Sequence, residues 1–227
     1  MTGLNKISAS VQSGSARQTA DLVSQAIKDK CPLDAILKEG LVSGMMEMEK
    51  KFHRNEVLDS QVHIADWAMK AGLEVLMPLL EEKKAATPES PPCTVITGTL
   101  EGDIRETEKN IMAIMMQSMG LNVIDLGTGV SPMRFVKTAA DEKAQLIVCA
   151  AALTSFLPQM KSLVEAANRA MIRAKTKIML SGRPVTEWFC KCIDADIYAP
   201  DLVQAAEMAA EYCKKMHGEL SAENLPA

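Results

Sequence analysis

The sequence predicts an α/β protein in parts: a helical bundle over 1–82, a linker over 83–92, and an open five-stranded parallel sheet with helices on both faces over 93–227. Three observations carry that expectation. Apolar residues before position 82 recur at three- and four-residue steps, the period of a helix face. The segment KKAATPESPP (83–92) has the proline, serine and charge content of a solvated connection. After it, short apolar runs recur at intervals of about 20 to 30 residues, too widely spaced for hairpins and separated by amphipathic stretches.

In the first part, Leu22, Ala26 and Ile27 share a helical face, and Ile36, Leu37, Leu41 and Met45 continue the pattern. A longer stripe runs through Leu58, Val62, Ala65, Met69, Leu73, Leu76 and Leu80. Three or four helices with short connections make a small bundle. In the second part the apolar runs are CTVITGTL (93–100), LNVIDLG (121–127), AQLIVCAA (144–151), TKIMLSG (176–182) and DIYAP (196–200). Amphipathic segments fall between and after them at 106–119, 131–142, 158–171, 185–193 and 201–216. Strands apolar on both faces belong in a parallel sheet buried under two helical layers. Five such strands wind in the flavodoxin-like order, which places ligands outside the carboxyl ends of the strands. Function is therefore to be read in the loops that leave the strands: 98–106, 126–131, 150–156, 181–186 and 199–201.

Composition removes several classes of function. A net charge of −4 provides no basic footprint for nucleic acid, and 4% aromatic residues provide few stacking platforms. No apolar run approaches the length of a membrane span, and the N-terminus lacks the plan of a signal peptide, so a cytoplasmic location is expected. Six cysteines occur without a CxxC pair, and the expectation is reduced thiols packed as small hydrophobes. Sixteen methionines suit core gaps and adaptable contact with a large planar ligand alike.

The first loop reads TGTLEGDIRETEKN. Asp103 is a candidate helix N-cap, with Glu106 as its capping-box partner. In the second, DLGTGVS, Ser131 is placed to cap a helix opening at Pro132. The third, AAALTSF, offers small residues and the hydroxyls of Thr154 and Ser155. The fourth, SGRPVT, lets a ligand approach backbone at Gly182 and adds a cation at Arg183. Glycines and small residues on successive strand ends imply room for something bulky. No nucleophile–base pair is evident, so no catalytic residue and no protein metal ligand is assigned. There is no GxGxxG or P-loop pattern, which disfavours a nucleotide or flavin site.

The order GTLEGDI…KN, GLNVIDLGTGV, FVKTAADEKAQLIV, ALTSFLPQMKSLVEA, KIMLSGRPVTEWF, DADIYAPD resembles the cobalamin-binding module of corrinoid methyltransfer proteins, a family that includes methanogen and acetogen corrinoid carriers and a module of methionine synthase. AMKAGLEVLMPLL (68–80) resembles the family's helical cap. The resemblance implies a corrin held between cap and sheet, with its nucleotide tail threaded into the sheet domain. It implies a cobalt-binding histidine in a DxHxxG signature, an SxL element and a GG pair. In this chain Asp103 matches the signature aspartate, while Arg105 replaces the histidine and Glu108 the glycine. The SxL element reads Ala150-Ala151-Ala152, and the GG pair reads Ser181-Gly182. Thr154, Ser155, Pro184, Val185, Thr186 and Asp201 resemble the family.

Carried over residue by residue, the resemblance implies cofactor contacts from Asp103, Arg105 and Glu108 in the first loop and Leu126 and Gly127 in the second. It implies further contacts from Ala150, Thr154 and Ser155, then Ser181, Gly182, Arg183 and Pro184, and last Tyr198 and Asp201. From the cap it implies His63 and Trp67, one helical turn apart, although a histidine at such a place is also an ordinary surface residue. A guanidinium has no acceptor lone pair, so Arg105 is not a cobalt ligand. It pairs with Asp103 or Glu106, or it sits beneath the ring against a cobalt-bound water, a corrin amide or the tail phosphate. Cobalamin is therefore expected base-off, without histidine ligation. Lacking a lower donor, cobalt(I), the nucleophile a methyl carrier needs, should be easier to reach. The implied function is a methyl carrier serving methyltransferase partner proteins, which supply a small-molecule methyl donor. The alternative is a non-catalytic cobalamin- or tetrapyrrole-binding or sensor protein that has kept the fold.

Overall fold

A computed structural model describes residues 3–85, 93–103 and 106–223. The chain divides into two compact units, Met1–Pro88 and Glu89–Ala227.

The first unit is helical. Helix α1 (Gly3–Gln12) buries Ile7, Ser10 and Val11, and α2 (Ala16–Lys28) buries Thr19, Val23 and Ala26. The two buried hydroxyls satisfy each other, Ser10 Oγ lying 2.9 Å from Thr19 Oγ1, as buried polar groups must. A short α3 (Leu33–Ala35) leads into a π-helical stretch, Ile36–Val42, and then α4 (Ser43–His53). The three- and four-residue steps through this segment predict an ordinary α-helix, and the structure differs. Ile36 and Leu41, like Leu37 and Val42, lie five residues apart, and all four are buried. The wider i→i+5 turn stacks both pairs toward the core. Helix α5 (Asp59–Ala85) buries Ala65, Ala68, Met69, Leu73, Leu76 and Leu80. It runs three residues into the segment read as linker; positions 86–92 lie outside the described residues.

The second unit has five parallel strands in the order β2-β1-β3-β4-β5: β1 (Thr94–Gly98), β2 (Asn122–Asp125), β3 (Leu146–Ala150), β4 (Lys177–Ser181) and β5 (Ile197–Ala199). This is the flavodoxin-like arrangement. Helices α6 (Thr107–Ser118), α7 (Pro132–Asp141), α8 (Leu157–Arg169), α9 (Glu187–Cys192) and α10 (Leu202–Glu223) follow strands β1 to β5 in turn. Alternation divides the strand residues between two layers. Ile96, Ile147, Cys149, Ile178 and Leu180 join Phe135 and Val136 of α7 and Met160, Leu163 and Val164 of α8 in one core. The alternate residues Val95, Val148 and Met179 are also buried, on the side where α6 and α10 pack together. Ser131 caps α7, its side chain accepting from the Arg134 N–H, with Pro132 in the first turn. The last helix continues to Glu223, beyond the 216 read from the sequence.

One expectation about the cysteines is corrected. Cys93 and Cys213 form a disulfide, with Cα atoms 5.8 Å apart across a sequence separation of 120 residues. Cys93 shares the pleat side of Val95, the side covered by α10, so the fold brings together two thiols that no spacing pattern links. Cys31, Cys149, Cys190 and Cys192 are free.

Candidate functional site at the carboxyl edge of the sheet

All five loops read for function leave the sheet at one edge, because every strand runs parallel. The first two are joined. The Leu126 N–H donates to the Thr97 carbonyl (2.8 Å), the Thr99 N–H to the Gly127 carbonyl (3.0 Å), and the Val130 N–H to the Thr99 carbonyl (2.8 Å). A parallel bridge pairs Leu100 with Val130. The Thr99 hydroxyl ties the assembly to Asp103 by donating to its carbonyl at 2.6 Å while accepting from the Gly129 N–H at 3.2 Å. Gly127 adopts φ +82° in this turn.

Asp103 is only 4% exposed. It is not the cap of α6: that helix begins at Thr107, with Glu106 at the N-cap position and no side-chain cap bond. The reason is local. The Asp103 N–H is used by the Leu100 carbonyl, 3.0 Å away, so Asp103 closes a tight turn and the helix starts four residues later. Arg105 lies outside the described residues. Glu108 is half-buried in the first turn of α6.

On the other side of β1, Ala150 ends β3 in register with Ser181 at the end of β4. The Ala151 N–H donates to the Ser181 carbonyl at 3.0 Å. Gly182 follows at φ +107°, and a Cβ there would stand 2.0 Å from the Ala151 carbonyl oxygen. No side chain fits, which accounts for glycine at the second position of the expected pair; at the first, Ser181 is accommodated and buried. Thr154 and Ser155 are exposed in a 3-10 turn (Thr154–Phe156) before α8. Arg183 is exposed and Pro184 half-buried. Tyr198 is half-buried on β5 and packs against the core. Asp201 precedes α10 and is committed as its cap, accepting the N–H groups of Val203 (2.9 Å) and Gln204 (2.8 Å) and the Gln204 side chain (2.9 Å). His63 and Trp67 belong to the first unit, both on the exposed side of α5, where Trp67 is 69% exposed.

Burial, and then the charge of Asp103, pushes the Cys149 thiol up to about 12. Burial likewise pushes Cys190 up to about 11. Both remain protonated near neutrality and are poor nucleophiles. The chemistry of this edge is that of a holder. It carries an orphaned hydroxyl, since Thr97 Oγ1 near the end of β1 is buried and without a hydrogen-bond partner among the described residues. Apolar side chains stand exposed around it: Met133 at the start of α7, Leu153 after β3 and Trp188, 75% exposed, at the start of α9. Small residues at the ends of β3 and β4, a buried hydroxyl and exposed apolar groups fit a large ligand with apolar faces and a polar rim.

Sequence reading missed Lys109, Asp125, Thr99 and Gln159. Lys109 is only 3% exposed and forms an ion pair with Asp125 at the end of β2. Gln159 Nε2 of α8 donates to the Glu101 carbonyl at 2.9 Å, tethering the first loop from below. The charged Asp125 closing the run LNVID was the one available signal.

Fold and edge together define a ligand-holding α/β domain preceded by a helical bundle. Comparison with known proteins specifies the family. Two models described as B12 binding domain match, one over residues 93–207 and a second over 4–77. The chain is 33% identical to trimethylamine corrinoid protein 1 of Methanosarcina mazei over 84% of its own length and 88% of the relative's. It is 34% identical to dimethylamine corrinoid protein 1 of Methanosarcina acetivorans, covering 84% and 90%. The structure of the Methanosarcina barkeri monomethylamine corrinoid protein superposes with a TM-score of 0.77 at 28% identity, covering 92% of this chain and 98% of that one. The chain belongs to the B12-binding family of corrinoid proteins.

Proposed function

We propose that this chain is a corrinoid methyl carrier that holds its cofactor at the carboxyl edge of the sheet without a histidine beneath the metal. The observation that carries the reading is a coincidence of place. The B12-binding match over 93–207 covers the strand ends that gather Asp103, Leu126, Gly127, Ala150, Ser181 and Gly182. The bound corrinoid would supply a cobalt centre able to take up and release a methyl group, and the protein would supply enclosure and orientation.

The small residues from the end of β3, Ala150 to Ala152, limit side-chain bulk at this edge, and the buried Thr97 hydroxyl would offer the cofactor a hydrogen-bonding group. Thr154, Ser155, Arg183, Pro184 and Tyr198 would line the same edge. Asp201 has its carboxylate engaged by helix capping, so its part is to shape the fifth loop. Glu108 stands where the family motif has glycine, half-buried in the first turn of α6, and would add side-chain bulk near the cofactor. His63 and Trp67, with Ile64 also exposed on α5, would be the bundle's contribution to holding the cofactor.

Arg105 cannot donate a lone pair to a metal. Without a lone pair from position 105 the lower face of cobalt would be left to water or to the cofactor's own base; the form proposed is base-off, with the nucleotide tail drawn into the sheet domain. Methyltransferase proteins would load and unload the carrier in the cytoplasm, reaching the cofactor when the cap is displaced.

The test is Arg105→His, with both proteins loaded with hydroxocobalamin. The visible spectrum of the variant should move toward that of histidine-ligated cobalt. An unchanged spectrum would remove position 105 from beneath the ring.

A further inference from the structure

Lys109 lies three residues into α6 and is almost wholly buried, an expensive place for an ammonium group unless it is paired and hydrogen-bonded. Its Nζ donates to Asp125 Oδ2 and, at 2.6 Å, to Asn110 Oδ1. Asp125 is the last residue of β2 and pairs in register with Thr97. Its other oxygen, Oδ1, accepts the Gly127 N–H at 2.9 Å. Gly127 in turn accepts from Thr99, and Thr99 reaches the Asp103 carbonyl. A continuous path therefore runs from a buried cation on α6, through one carboxylate, into both loops at the cofactor edge.

We propose that Lys109 is a positioning residue: through Asp125 it holds the loop after β2 against the loop after β1, and so sets the shape of the cradle that receives the corrinoid. The inference rests on the functional reading above for the identity of the ligand, but not for the loop contact itself. Lys109 touches no ligand in this account. Asp125 needs a partner on Oδ2 that leaves Oδ1 aimed at Gly127. A cation rooted in a helix provides one with a fixed origin. Asp125 is about one-third exposed, so in a Lys109→Met protein its carboxylate can be solvated and turn outward. The protein should fold while the loops separate.

Amide hydrogen exchange and hydroxocobalamin titration on the full chain test this together. In Lys109→Met, exchange at Gly127, Thr99 and Val130 should quicken by roughly tenfold or more, the loss expected when a charged hydrogen-bond partner is removed. The Ile178 and Leu180 amides of β4 should keep their wild-type rates, and corrinoid affinity should fall by a similar factor. Lys109→Arg should recover most of both effects, and Asp125→Ala should reproduce the methionine variant, serving in its place should that protein not fold. Quickened exchange of equal size across the whole sheet, unchanged loop exchange, or unchanged affinity in a wild type that does bind would overturn the proposal. A wild type that binds no corrinoid would instead sink the functional reading, and the exchange pattern alone would then decide whether Lys109 holds the two loops.

Discussion

A Cβ built on Gly182 would lie 2.0 Å from the Ala151 carbonyl oxygen, on a backbone already at φ +107°. Both the contact and the dihedral resist substitution, because the neighbour is backbone and cannot swing away. Gly182→Ala should therefore destabilise the second unit by about 2 kcal/mol or more in chemical denaturation, with the loss centred on the ends of β3 and β4. Cys149 makes a different prediction. Its folded-state pKa is raised by burial to about 12, against an ordinary value of 9.0. The folded state thus keeps a proton that the unfolded chain releases above its ordinary value. The stability contributed is complete below about pH 9 and is lost as pH rises toward 12. The gap sets an upper figure on the order of 4 kcal/mol. Denaturation midpoints of Cys149→Ala should fall less between pH 8 and 11 than those of the wild type; parallel curves would contradict this.

At the level of elements, α10 is held at two places. Asp201 caps its start with two backbone bonds, and the Cys93–Cys213 disulfide ties it to the start of β1. Asp201→Ala should cost ~1 kcal/mol, as loss of an N-cap typically does. Reducing the disulfide, which closes a loop spanning 120 residues, should cost about 3–5 kcal/mol in the chain-entropy account; equal stability with and without reductant would show that the link contributes nothing. The strands were legible in the sequence to within about two residues at each end, because apolar runs buried on both faces belong in a parallel sheet under two helical layers, while α10 runs past its expected end at 216 to Glu223. What escaped was set by packing and hydrogen bonds that no residue pattern announces, some distant in sequence and some local. The disulfide depends on which pleat side Cys93 takes. The π-helical stretch depends on the five-residue spacing of Ile36–Leu41 and Leu37–Val42. Asp103 looked like a cap, but local hydrogen bonds, its N–H to the Leu100 carbonyl and its carbonyl from the Thr99 hydroxyl, made it part of a turn. The Lys109–Asp125 pair reads in sequence as two ordinary polar residues, and only the parallel register at Thr97 makes them neighbours.

For the molecule as a whole, what matters is that the chain keeps the build of a corrinoid protein while changing the chemistry of its signature. The parallel sheet brings five loops to one edge, backbone geometry forces a glycine at one of them, and the bundle supplies exposed aromatic and aliphatic groups on α5. In the proposed reading, arginine where the family motif has histidine leaves cobalt without that protein ligand. In the first unit, Trp67→Ala should leave thermal stability nearly unchanged, since an exposed side chain contributes little to folding. If Trp67 contributes to holding the cofactor as proposed, the same variant should bind a corrinoid more weakly; unaltered affinity would show that Trp67 takes no part. The central claim is tested most directly by the cobalt content and visible spectrum of the purified chain after incubation with hydroxocobalamin and removal of the excess. The account predicts about one cobalt per chain and a base-off spectrum without histidine ligation, whereas a colourless protein free of cobalt would contradict it.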